Sequence, residues 1–82
     1  MKNLILITPR QCKAARDLLG WSQIDLKEKS GISANTIAHF EKDKRNLTIQ
    51  TMEKIVNTFI ANGITFENTA KKITVSLEIE NL

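Results

Sequence analysis

The chain has 82 residues, 41% hydrophobic and 26% charged, with 12 Lys/Arg against 9 Asp/Glu for a net charge of +3. One cysteine excludes an internal disulfide and fits a reducing compartment, and no run approaches the ~20 apolar residues that span a membrane. One His, no Tyr and no phosphate-cradling glycine loop leave little for an enzyme to work with, and the length supports one small core that dimerisation would help to stabilise.

In chain order, Leu4–Ile7 is an apolar run of four residues, too short for the apolar region of a signal peptide. It is a candidate strand. Thr8-Pro9-Arg10-Gln11 is a complete helix start, with a threonine cap, proline at the first helical position and a glutamine to close the capping box. Cys12, Ala15, Leu18 and Leu19 then recur at helical spacing until Gly20, which predicts a helix over 9–19 with Cys12 in the core rather than reactive. Ser22 with Asp25 forms a second box, flanked by Trp21 and Leu26 as a hydrophobic staple, and predicts a helix over 23–30. Gly31 stands where the chain must enter a left-handed conformation. Ser33 opens a third helix over 34–42, with Ile32 and Ile37 as its staple. Thr48 caps a fourth over 49–61, whose stripe is Met52, Ile55, Val56, Phe59 and Ile60, and Asn62-Gly63 ends it. Beyond this the period changes. Ile64–Glu67 and Ile73–Glu80 alternate apolar and polar residues, which predicts two strands joined through 68–72.

Two short capped helices around a glycine turn, followed by Lys42, Lys44 and Arg45, have the layout of a DNA-binding helix-turn-helix. Leu26, Ile32, Ile37 and Phe40 fall on inward positions. Ala34, Asn35, Ala38 and His39 are left on other faces of the second motif helix, small enough to enter a major groove about 12 Å wide. Charge is distributed to match: residues 1–45 hold nine Lys/Arg against five Asp/Glu, residues 46–82 three against four. A basic front half suits phosphates and an acidic tail suits a protein partner, although a charge imbalance of this size is also what a solvated surface carries. The candidate DNA-binding residues are Gln23, Ser33, Ala34, Asn35, Thr36, His39, Lys42, Lys44 and Arg45. Asn35 is out of place in a helix by propensity, and an amide reads adenine through N6 and N7. Ala34 either fills space or meets a thymine methyl. Thr36 reads as a backbone contact or a plain third helical position, and His39 as a surface residue or a donor to base or phosphate. Lys42, Lys44 and Arg45 form a solvated run in most settings and a phosphate contact after a recognition helix.

These residues resemble the lambda-repressor-like family, and within it the small Xre-type phage repressors and Cro proteins. The likeness rests on Trp21-Ser22-Gln23, Leu26, Gly31-Ile32-Ser33, Ile37 and Phe40-Glu41-Lys42, and spans roughly residues 8–62. It implies that Gln23 holds a DNA phosphate, that Ala34, Asn35 and His39 meet bases, and that Arg16 pairs with Glu41 across the opening and recognition helices. The chain departs from the pattern at Lys27, where a small residue is usual, and at Ser30, where an apolar one is commoner. A lysine stem can lie along the neighbouring helix with its ammonium in water.

The expected fold is mainly α, a four- to five-helix lambda-repressor-like domain over 1–63 with a C-terminal β segment over 64–82 that dimerises. The expected function is a cytoplasmic, non-enzymatic, cofactor-free regulator of transcription. It would be a homodimer that represses by binding a double-stranded operator with pseudo-palindromic half-sites, away from any membrane. Two other readings share the residues: an antitoxin with a toxin as protein partner, and an interaction module that no longer binds DNA.

Overall fold

The computed structural model describes residues 5–68 and 73–77. Four helices, α1 (Pro9–Leu19), α2 (Gln23–Ser30), α3 (Ala34–Glu41) and α4 (Ile49–Ala61), precede a hairpin of β1 (Ile64–Asn68) and β2 (Ile73–Leu77). Each helix begins where a Ser or Thr side chain accepts from the backbone N–H three residues on: Thr8 from Gln11, Ser22 from Asp25, Ser33 from Thr36 and Thr48 from Thr51. The boxes at Thr8–Gln11 and Ser22–Asp25 are reciprocal, because Gln11 and Asp25 accept from the capping residues' own N–H groups. These bonds satisfy orphan donors of the first turn, so the helix starts are encoded locally. Gly20 and Gly31 close α1 and α2 at φ 71° and 79°, the left-handed region that glycine enters without steric cost.

The core is one cluster drawn from every layer, including Cys12 and Ala15 of α1, Leu26 of α2, Ile37 and Phe40 of α3, Ile55 and Phe59 of α4, and Ile64 of β1. Trp21 stacks on Phe59 at 5.9 Å between ring centroids, and Phe59 meets Phe66 edge-on at 6.0 Å, so three aromatic rings tie the α1–α2 turn to α4 and the hairpin. The hairpin is antiparallel, pairing Ile64 with Leu77 and Phe66 with Val75, which puts these four on one face. That face lies on the helices, with β2 against α1 and β1 against α4. Ile64 is 2% exposed, so the boundary at 63/64 marks a change of secondary structure within a continuous core.

Three expectations are corrected. Ile5–Ile7 forms no strand; Ile7 instead drops into the core immediately before the Thr8 cap, and Leu4 lies outside the described residues. Leu18 and Ile60 are 46% and 44% exposed, because each stands at the edge of its helical stripe, beyond the reach of the facing elements. Helix α3 stops at Glu41, and Lys42 is its cap. The 69–72 loop and residues 78–80 of the longer strand lie outside the described residues.

Candidate nucleic-acid interface

Helices α2 and α3 meet through Leu26 and Ile37, both fully buried, with Ile32 packed against the same cluster from the turn. Ser30 wires that turn: its hydroxyl donates to the Leu26 carbonyl at 2.7 Å and accepts from the Ile32 N–H at 3.1 Å. The Leu26 carbonyl also lies within the helical ladder of α2, but an apolar residue would leave the Ile32 N–H to find another partner, which gives the departure at Ser30 a physical reason. Lys27 is exposed, so a long side chain is accommodated there.

Behind the pair lies a polar cluster. The Glu41 carboxylate, 5% exposed in its side chain, pairs with Arg16, whose side chain is 9% exposed. Arg16 donates from Nε to Oε2 at 2.7 Å and from Nη2 to Oε1 at 2.6 Å, a bidentate fork. Its third nitrogen, Nη1, donates to the Trp21 carbonyl at 2.9 Å, bracing the turn into α2. Gln23 Nε2 donates to Glu41 Oε1 at 3.1 Å, and the Cys12 thiol to Oε2 at 3.2 Å. Burial would push the Glu41 pKa up, but hydrogen bonds from Arg16, Gln23 and Cys12 and the guanidinium charge outweigh it and hold the carboxyl below its ordinary range. Burial, then the Glu41 charge and hydrogen bond, raise the Cys12 thiol far above the usual thiol range, so Cys12 is a proton donor here and not a nucleophile. The hydrogen bond to Glu41 likewise raises the Arg16 pKa. The expected Arg16–Glu41 pair is present. The Cys12 and Gln23 contacts to the same carboxylate had not been expected.

On the outside of α3, Asn35 and His39 are exposed, Ala38 is half-buried, and the exposed Lys42 follows one turn on. Residues 35, 38, 39 and 42 share one side of a helix, opposite the buried Ile37 and Phe40. Ala34 and Thr36 are half-buried at the helix start. Ser33 is exposed, and its hydroxyl donates to Thr36 Oγ1 at 2.9 Å while accepting from the Thr36 N–H. After Lys42 the chain turns sharply at Asp43, whose φ of 60° is left-handed, a conformation that aspartate tolerates better than most residues. The turn leaves Lys44 and Arg45 exposed just beyond the end of α3. Gln23, at the first position of α2, is half-buried. The structure therefore brings Asn35, His39 and Lys42 onto one open face, leaves Lys44 and Arg45 exposed just beyond the end of α3, holds Gln23 against Glu41 at that same end, and gives Ser33 and Thr36 a capping role as well. Ala38, absent from the candidate set, belongs to that face by its spacing.

A family model described as helix-turn-helix matches residues 13–60, which takes in most of α1 and all but the last residue of α4. The chain belongs to the lambda-repressor-like helix-turn-helix family. No curated protein matches it. The helix-turn-helix domain is a DNA-binding module of transcription regulators, and that is the functional class of this chain. Among the described residues, no helix is long and apolar enough to cross a membrane, and no group of three or more His, Cys, Asp or Glu could hold a metal ion.

Proposed function

We propose that this helix-turn-helix protein is a sequence-specific repressor that binds double-stranded DNA as a homodimer, with α3 in the major groove. The observation that carries the reading is the single open face of Asn35, Ala38, His39 and Lys42, short at its N-terminal end and cationic at its C-terminal end. Short side chains let the helix approach base edges, while Gln23 before this face and Lys44 and Arg45 after it are placed for the flanking phosphates. Ser33, Ala34 and Thr36 complete the contact surface at the helix start. Repression follows sterically, as a dimer seated on a promoter excludes polymerase. Binding sites selected from random DNA by the full chain should converge on one pseudo-palindromic sequence; a pool that stays random overturns the reading. On the selected site, Lys44→Ala and Arg45→Ala should weaken specific and unrelated DNA about equally, each flattening the slope of log affinity against log salt by roughly one unit.

The dimer is proposed to form through β2. Among the described residues the hairpin has two strands, each with an unpaired edge, and pairing an edge with its copy about a two-fold axis would set two α3 helices roughly 34 Å apart, one helical turn of DNA. Because Val75 and Leu77 also cover the protomer's own core, removal of residues 72–82 has to be followed by helical circular dichroism together with sedimentation. A chain that keeps its helices but sediments as a monomer, with weakened operator binding, is expected. One that remains a dimer with full affinity excludes the strand interface.

A further inference from the structure

The Gln23 amide is held from inside the protein. Its Nε2 donates to Glu41 Oε1 at 3.1 Å, while Glu41 is itself fixed by both prongs of Arg16 and by the Cys12 thiol. A carboxylate can only accept, so the amide has to present its nitrogen, and never its oxygen, to Glu41. A primary amide has two N–H groups in one plane. With one bound to Glu41, the direction of the second is set by the buried carboxylate. The bidentate guanidinium neutralises the negative charge that would otherwise repel DNA at this point.

We infer that Glu41 is a positioning residue for DNA binding: it locks the Gln23 amide so that its second N–H, and not its carbonyl oxygen, faces a backbone phosphate. This rests on the reading above that Gln23 meets a phosphate. An untethered glutamine at a helix start would rotate freely before binding and would lose that freedom when the anion selected its donor end. Here the orientation is set before DNA arrives. Cys12 enters at the opposite oxygen, where its S–H occupies the remaining side of the carboxylate. The geometry thus runs from the core side of α1, through the last residue of α3, to the first residue of α2.

The clamp is tested without DNA by NMR on the intact protein. The two side-chain amide protons of Gln23 should be well separated, with the proton facing Glu41 shifted downfield and slow to exchange, in contrast to the exposed Gln50. A Gln23 pair that matches Gln50 in shift and exchange overturns the proposal, whatever the protein does with DNA. The link to binding is tested by a double-mutant cycle on the selected site, with folding of every variant checked by circular dichroism. Glu41→Gln should weaken binding roughly tenfold in the parent, the size of one hydrogen bond to a charged group, and far less in a Gln23→Ala background. Equal losses in both backgrounds would show that Glu41 does not act through Gln23. If Glu41→Gln does not fold, Glu41→Asp, which keeps a carboxylate for Arg16 but draws it back from Gln23, takes its place in the cycle and in the NMR comparison, under the same criteria. Gln23→Ala with unchanged affinity and salt slope would instead remove the phosphate contact itself and leave the NMR result standing.

Discussion

Glu41→Ala is expected to cost about 3–5 kcal/mol of stability, the loss seen when one partner of a buried ion pair is removed. The variant leaves the Arg16 guanidinium inside the protein without the partner of its Nε and Nη2, and takes Glu41 Oε2 from the Cys12 thiol. Against a total of about 5–15 kcal/mol for a typical domain, that is enough to unfold much of the population at moderate temperature. Urea and thermal unfolding measure it, and a variant within about 1 kcal/mol of the parent would mean that the pair behaves like an exposed one. Replacing Arg16 and Glu41 together by apolar residues should cost less, since no buried charge is then stranded. The pH profile carries the same signature. The folded-state pKa of Glu41 lies below its unfolded value, so its contribution is complete above the ordinary carboxylate range and is lost as pH falls through the lowered value. Cys12 has the opposite sign: its pKa is raised on folding, so stability declines once pH climbs past the ordinary thiol range. Cys12→Ala should abolish that alkaline decline.

Asn35→Ala is expected to have the largest effect on specificity. Asn35 is exposed at the second position of α3, in the same row as His39. An asparagine that donates to and accepts from adenine in the major groove contributes about 1–3 kcal/mol of discrimination against other bases. The variant should lose that much on the selected site and little on unrelated DNA, and a repeated selection should show one position relaxed in each half-site. The melting temperature should stay near that of the parent, because Asn35 is exposed. An unchanged selected sequence would move the reading face elsewhere, and Ala38 with His39 would be the next residues to vary.

What could be read before the fold was known follows a physical pattern. Helix starts were legible because Thr8, Ser22, Ser33 and Thr48 each act on an N–H three residues away, within the span over which local sequence decides. The two strands of the hairpin were legible because Phe66 and Val75 alternate with outward residues, but their register was not. Periodicity does not set how wide a buried stripe will be, and Leu18 and Ile60 were therefore assigned inward although they face solvent. A short apolar run does not supply a partner either, and Ile5–Ile7 forms no strand. In the candidate interface, the outward position of Asn35 and His39 followed from helical spacing. The contacts of Glu41 with Gln23 and Cys12 join residues 18 and 29 positions apart. They depend on how α1, α2 and α3 cross, which no local pattern encodes.

The polar cluster also bears on how inheritance would sample this protein. Cys12 and Arg16 sit in α1, on a helix that lends no residue to the open face of α3. If the proposed repression holds, a genetic screen for its loss should nevertheless return substitutions at both, mixed with those at the proposed DNA contacts Asn35, Lys44 and Arg45. Only growth at reduced temperature would separate the two groups. Defects in the brace would recover as the fold regained its margin, and defects at the DNA-facing surface would not.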